Sequence, residues 1–268
     1  MVERLRVVVS GATGRMGRAL AGLVEEDEAL ELIGGISRSS YELGWAGTVG
    51  FPAIEAPEAA EWMLEEADVL IDFSSPELFR RLVASQREPL AGIAVVVGTT
   101  GLEPEDLAVL KELAAETPVL PAPNFSVGVN LLVALAEQAA RVLGGEYDVE
   151  IIEAHHRRKA DAPSGTALQI GQAVARGLEL DLEQVRRNGR SGRSGERARG
   201  EIGFHAVRGG DIVGEHRVMY IGERERIELG HVAADRTLFA EGALRAARWL
   251  AEGRPPRVYT MRDVLGLD

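Results

Sequence analysis

The stretch Glu153-Ala-His155-His156-Arg-Arg-Lys159-Ala-Asp161-Ala-Pro163-Ser164-Gly165-Thr166 packs two histidines, two arginines and a lysine into five consecutive residues. The chain around it is acidic, with 30 Lys and Arg against 42 Asp and Glu and a formal net charge of -12. A cationic segment in such a field concentrates anionic ligand locally. Pro163 suits a first helical turn, and Ser164, Gly165 and Thr166 would then offer hydroxyls and free backbone N–H groups to an anion. Histidine, whose ordinary pKa is ~6.5, suits proton transfer near neutrality. The pattern predicts a carboxylate or phosphate site with a histidine proton donor beside it. The two histidines and Glu153 form no H-E-x-x-H helix pattern, so no metal is expected.

A second pattern binds rather than reacts. Gly11-Ala12-Thr13-Gly14-Arg15-Met16-Gly17 follows the β-branched run 5–9 and opens a run of helix formers that reaches Glu26. In that setting glycines serve a tight turn, close approach of backbone to a pyrophosphate, and close packing of helix on strand, with the phosphate at the helix N-terminus. The spacing here is G-x-x-G-x-x-G rather than the commoner G-x-G-x-x-G. About 20 residues further on, where a carboxylate selects NAD and a basic group NADP, stands Ser37-Arg38-Ser39. Arg38 can grip a 2′-phosphate and no acid opposes it, which favours NADPH over NADH. Gly98-Thr99-Thr100-Gly101 closes a later strand at the edge where open α/β sheets hold ligands, and its backbone is placed to meet the nicotinamide carboxamide.

These groups need a scaffold. Strands at 5–9, 31–36, 68–73 and 93–97 alternate with helices at 57–66, 76–87 and 104–115, which predicts a Rossmann-like, doubly wound parallel sheet covered on both faces. After the proline-rich Pro121-Ala122-Pro123-Asn124 the alternation stops, and a domain boundary is placed there. A long apolar helix at 127–143 and a strand at 147–153 follow, then a helix near Pro163 and strands near 200–207, 212–220 and 224–230. Strands in succession predict a smaller α+β domain with a mixed or antiparallel sheet. The glycine- and arginine-rich run 188–199 reads as a mobile loop, and 235–252 as a last helix.

Composition removes several alternatives. With 46% hydrophobic and 27% charged residues, the 268-residue chain is of ordinary globular type and long enough for two domains. The absence of cysteine excludes disulfides, cysteine-bound metals and thiol nucleophiles. The negative charge disfavours nucleic acid. No apolar run approaches the ~20 residues of a membrane span, and the first residues show no cleavable leader, so a cytoplasmic protein without membrane contact is expected.

The signature E-A-H-H-R-R-K-A-D-A-P-S-G-T-A closely resembles that of the dihydrodipicolinate reductase family. So do S-G-A-T-G-R-M-G from Ser10, I-D-F-S-S-P from Ile71, V-G-T-T-G from Val97, N-F-S-V-G-V-N from Asn124, G-D-I-V-G-E-H from Gly210 and M-R-D-V-L from Met261. The resemblance runs nearly end to end. It implies a homotetrameric oxidoreductase of lysine and diaminopimelate biosynthesis that reduces a small cyclic dicarboxylate with NADPH or NADH. By that resemblance His155 is the proton donor and Lys159 is catalytic, while His156, Ser164, Gly165 and Thr166 bind substrate. The resemblance places cofactor contacts at Gly11, Arg15, Met16, Gly98, Thr100, Ala122, Pro123, Asn124 and Phe125, and the residue patterns above add Ala12, Thr13, Gly14, Gly17, Arg38 and Thr99. The last helix returns to the first sheet, giving a dinucleotide domain at 1–125 and 235–268 and a substrate and oligomerisation domain at 126–234. Some members carry an acid where Ser37 stands and a base near Ser75, which leaves cofactor preference open. Two other readings stand beside this one: a different NAD(P)-dependent reductase of an amino-acid pathway, and a non-catalytic nucleotide sensor. The sensor would normally carry a basic DNA-binding module, and none is present.

Overall fold

The computed structural model describes residues 4–38 and 51–267. Ser39 and residues 1–3, which entered the sequence reading, lie outside them. In chain order the elements are β1 (Leu5–Ser10), α1 (Arg15–Glu25), β2 (Leu30–Ile36), β3 (Ile54–Glu55), α2 (Glu61–Glu66), β4 (Val69–Asp72), α3 (Pro76–Ser85), α4 (Arg87–Leu90), β5 (Ala94–Val97), α5 (Pro104–Leu113) and β6 (Pro118–Pro121). Then come α6 (Val127–Leu143), β7 (Asp148–His155), α7 (Gly165–Gly177), α8 (Leu182–Val185), β8 (Arg186–Asn188), β9 (Ile202–Arg208), β10 (Gly214–Ile221) and β11 (Arg226–Ala233), followed by α9 (Thr237–Ala251), β12 (Arg257–Val258) and α10 (Met261–Leu265). The chain forms two compact units, one of Met1–Ser126 with Thr237–Asp268 and one of Val127–Arg236.

The first unit holds a seven-stranded sheet in the order β12-β6-β5-β4-β1-β2-β3, with parallel pairing throughout the described residues. Val7, Val8 and Val9 are fully buried, as a strand covered on both faces requires. One face packs under α1 and α9, through Leu20, Val24, Ala243, Ala247 and Leu250. The other packs Ile36, Leu70, Val95 and Val97 against Met63, Leu64, Phe79 and Leu110 of α2, α3 and α5. The order reverses between β1 and β4, and at such a switch point an open α/β sheet offers its crevice. α9 belongs to this sheet although 110 residues of the other unit precede it. Gly242 permits the approach, since a Cβ there would stand 1.9 Å from the Phe125 carbonyl oxygen.

The second unit is a mixed five-stranded sheet, β11-β10-β7-β9-β8. β10 pairs antiparallel with β7 and β11, and β9 pairs parallel with β7 and β8. Helices α6 and α7 cover one face through Leu132, Ala136, Ile170 and Val174 against Val149, Ile151, Phe204 and Val218. The buried Tyr220 hydroxyl donates to the Ala136 carbonyl at 2.5 Å.

Four differences from expectation have physical reasons. β6 was not foreseen because prolines bracket its two core residues, Val119 and Leu120. β8 carries only Arg-Arg-Asn and so lacks any apolar pattern. The run at 188–199 is tethered rather than loose: Arg190 and Arg197 both grip the Glu150 carboxylate, with nitrogen to oxygen distances of 2.9–3.1 Å. Finally, Val127–Glu146 does reach the length and composition of a membrane span, with a mean hydropathy of 1.3. It carries Asn130, Glu137 and Arg141 and packs one side along α7 through Leu132, Val133 and Ala136.

Candidate active site

β7 and the N-terminus of α7 build the reactive cluster. Along β7 the side chains of Val149, Ile151, Glu153 and His155 share one face, because strand side chains alternate. The first two enter the core, and the last two emerge beyond it where α7 begins. Ser164 is the N-cap of α7: its hydroxyl accepts the Ala167 N–H at 3.1 Å. The helix thus starts at Gly165, and Pro163 lies just before the cap rather than in the first turn. A Cβ at Gly165 would meet nothing within 4 Å, so the approach to this helix end is open.

Glu153 organises the cluster. It is 2% exposed. Its Oε2 lies 2.6 Å from His155 Nδ1, both oxygens accept the Arg208 guanidinium at 2.7 Å, and Oε1 accepts the Ser164 N–H at 3.0 Å. Burial pushes this carboxyl up, but Arg208, His155 and the Ser164 N–H together hold it below the usual carboxylate range. A carboxylate on Nδ1 fixes the proton there and leaves Nε2 as the working nitrogen of His155. Gly214 stands opposite that atom, and a Cβ on it would come within 3.2 Å of Nε2. The His216 ring packs edge-on against His155 at 5.2 Å and its Nε2 is 3.2 Å from the Ser164 hydroxyl. Burial, then the neighbouring His155, push His216 down to about 4, so it stays neutral at physiological pH.

The remaining signature residues are linked outward from this cluster. Lys159 pairs with the Asp161 carboxylate at 2.9 Å, and the Asp161 carbonyl accepts from Arg208 at 2.6 Å. A relay of contacts therefore joins Lys159 to Glu153 and His155. His156 turns elsewhere, its Nε2 standing 3.3 Å from Arg236. Burial and the positive charge of Arg236 and Arg158 push its pKa down. Among the described residues no group of three or more metal-ligating side chains converges.

Glu153 as an anchor, Arg208 and His216 were not singled out by sequence reasoning. A period-two reading of β7 would have put Glu153 beside His155. Arg208 lies 55 residues from Glu153 and becomes its neighbour only through β7–β9 pairing, where His155 registers with Arg208.

In the first unit the glycines divide their work. Gly11 adopts φ +81°, and a Cβ there would be 2.3 Å from the Phe73 carbonyl oxygen, so the turn needs glycine. A Cβ on Gly17 would be 2.3 Å from the Gly11 carbonyl oxygen, which seats α1 on the turn. Gly14 caps α1 without a side-chain hydrogen bond, and the space around its Cβ position is open except for the Gly11 carbonyl oxygen at 3.1 Å. A cavity of about 410 Å³ lies there, lined by Gly11, Thr13, Gly14, Ser37, Arg38 and Phe73 to Ser75 with Leu78. An open helix N-terminus, small residues and an arginine fit a dinucleotide phosphate. A larger cavity, about 520 Å³, opens at the amino ends of the strands, lined in part by Arg4, Asp68, Gly92 and Glu116; ligands of such sheets bind at the carboxyl ends.

Other expected contacts sit differently. Ala12 and Phe125 are core residues, 0% and 1% exposed, and Met16 packs against the same core. Thr99 is 7% exposed with its hydroxyl turned inward. The side chains of Ala12, Phe125 and Thr99 are thus closed to a ligand, which leaves their backbone. Arg38 is exposed, and its carbonyl accepts from Arg81, itself paired with Glu58 at 2.8 Å. Thr100 is exposed, and Ala122, Pro123 and Asn124 form the short connection after β6.

The geometry can be set beside known proteins. A family model described as dihydrodipicolinate reductase, N-terminus, matches residues 5–125, and one described as dihydrodipicolinate reductase, C-terminus, matches residues 128–265. A 4-hydroxy-tetrahydrodipicolinate reductase of Alkalilimnicola ehrlichii is 50% identical, with 98% of this chain and 99% of the relative covered. One of Parvibaculum lavamentivorans is 46% identical with both chains fully covered. Among solved structures, a dipicolinate-bound dihydrodipicolinate reductase from a Paenisporosarcina species superposes with TM-score 0.71 at 24% identity, covering 96% of this chain and 97% of that one. That likeness bears on the fold.

Proposed function

We propose, from the premise that this chain belongs to the dihydrodipicolinate reductase family, that it reduces 4-hydroxy-tetrahydrodipicolinate to tetrahydrodipicolinate in lysine biosynthesis. One NADPH or NADH and one proton are consumed, and water is released. The observation that carries the reading is the Glu153-anchored His155 beside the Ser164 helix cap, inside the segment that also holds Lys159.

The nicotinamide cofactor, when bound, supplies a hydride to the substrate ring. Residues 11–17 hold its pyrophosphate, Arg38 its adenosine ribose or 2′-phosphate, and the Gly98 to Thr100 and Ala122 to Phe125 turns its nicotinamide end. Lys159 leaves Asp161 to hold a substrate carboxylate and to balance negative charge that develops on the ring. The N-terminus of α7, with Ser164, Gly165 and Thr166, receives a carboxylate, and His156 adds a further polar contact. His155 delivers the proton from Nε2, while Glu153 on Nδ1 orients the ring. Arg208 keeps Glu153 ionised and in place.

The proposal includes a homotetramer in the cytoplasm, where reduced nicotinamide cofactors are supplied. In support of assembly, the face of the second sheet away from α6 and α7 presents Ile152, Val207, Met219 and Val232, with Val207 49% and Val232 70% exposed. Apolar side chains on an open sheet face are commonly covered by another subunit.

The test is oxidation of NADPH and of NADH, followed at their absorbance maximum, with substrate generated in place by the preceding pathway enzyme. Turnover with at least one cofactor is expected. No turnover with either overturns the activity. A monomeric mass by light scattering overturns the tetramer alone.

A further inference from the structure

Asp72 ends β4 at the switch point of the first sheet and is fully buried. Its Oδ2 accepts the Thr99 hydroxyl at 2.5 Å, and the same Thr99 oxygen accepts the Ser74 N–H at 2.8 Å. The Asp72 carbonyl also accepts the Gly98 N–H at 2.7 Å. Two loops are thereby joined: the one after β4, whose Phe73, Ser74 and Ser75 line the 410 Å³ cavity, and the Gly98-Thr99-Thr100 turn after β5. They lie so close that a Cβ on Gly98 would stand 2.4 Å from the Phe73 ring. On its other side Asp72 registers with Ser10 of β1, the residue that precedes the glycine turn. The Ser10 and Ser74 hydroxyls also face this carboxyl and, with Thr99, pull its pKa down. Among the described residues no basic side chain pairs with it, and burial outweighs those contacts and pushes its pKa up, which suits a neutral acid.

We propose that Asp72 and Thr99 are positioning residues for the nicotinamide cofactor: through the Ser74 N–H they lock the β4 and β5 loops into one edge and so set the shape of the cofactor cavity. This rests on the cofactor site given above. Neither side chain reaches the cavity, so both act through the backbone they hold. A protonated acid at 72 needs only one acceptor for Thr99 and a polar group in place of its O–H, and an asparagine supplies both. A carboxylate needed for its charge would tolerate no such exchange.

The experiment measures NADPH and NADH dissociation constants by quenching of protein fluorescence, together with the dissociation constant of pyridine-2,6-dicarboxylate and the melting temperature. Variants are Asp72→Asn, Asp72→Ala, Thr99→Ser and Thr99→Val. The expected result is cofactor binding weakened about tenfold in Thr99→Val and Asp72→Ala, with Asp72→Asn and Thr99→Ser within about threefold of the parent. Dicarboxylate binding stays unchanged in all four. Three results overturn the proposal: a folded Thr99→Val that binds cofactor like the parent, an Asp72→Asn as weak as Asp72→Ala, or equal loss of cofactor and dicarboxylate binding. Thr99→Val keeps the side-chain shape and remains decisive where Asp72→Ala fails to fold. A parent chain that binds neither nucleotide refutes the cofactor site itself, which separates that failure from failure of the lock.

Discussion

Replacing Glu153 with glutamine changes one atom and sets donor against donor. Each carboxylate oxygen serves two N–H groups: Oε2 those of His155 and Arg208, Oε1 those of Ser164 and Arg208. Whichever oxygen becomes the amide nitrogen, two hydrogen bonds to a charged acceptor are lost and two N–H groups face another. At about 1.5–3 kcal/mol for each such bond, the loss of stability is about 3–6 kcal/mol before relaxation. The chemical effect is separate. The His155 ring loses the bond that fixes its orientation and which nitrogen works. Removing a carboxylate in that position costs up to ~10⁴ in turnover in hydrolases that use one to orient histidine, so a fall of at least ~10² in kcat is expected here. NADPH binding should persist, because the proposed nucleotide site is built from residues of the other unit. Steady-state kcat and KM, cofactor dissociation constant and melting temperature are to be measured together on Glu153→Gln and its parent. A Glu153→Gln protein that melts lower yet keeps kcat within about threefold would show that Glu153 only stabilises the fold.

Four further outcomes are expected. His155→Ala should lower kcat by about 10²–10⁴ with cofactor binding intact, whereas Lys159→Ala should raise substrate KM and lower kcat together, as steady-state kinetics on the two variants will show. Arg38→Ala should raise KM for NADPH and leave that for NADH nearly unchanged; unchanged values for both would remove Arg38 from phosphate recognition. Because the folded pKa of His216 is about 4 against 6.5 unfolded, the unfolded chain binds the extra proton between those values. Stability should therefore fall by about 3 kcal/mol as pH drops from 6.5 to 4, and urea titrations of His216→Gln should lose that part of the slope.

The sheet of the first unit was legible in sequence because its strands are short runs such as Val7 to Val9 and Ala94 to Val97, apolar on both faces and punctuated by helices that open with Pro76 and Pro104. Short edge elements were not, since β8 and β12 carry no apolar repeat and take their form from the neighbouring strand. The reactive segment was visible as a clustering of charge and imidazole between a strand and a helix. Its internal order was not: neighbours in sequence diverge, with His155 turning to Glu153 and His156 toward Arg236, while Arg208 arrives from another strand. The membrane-like hydropathy of Val127–Glu146 and the mobile reading of 188–199 have one lesson between them. Composition reports what a segment is made of, and only tertiary partners such as α7 or Glu150 decide what it does.

Transfer of a hydride from a nicotinamide cofactor to a cyclic dicarboxylate leaves a mark in the mass of the product formed with cofactor deuterated at the transferred position of the nicotinamide ring. The expected product is tetrahydrodipicolinate carrying one deuterium on a ring carbon, formed by the parent and almost absent with His155→Ala. Consumption of cofactor with no deuterium in the product, or no product at all, would contradict that transfer.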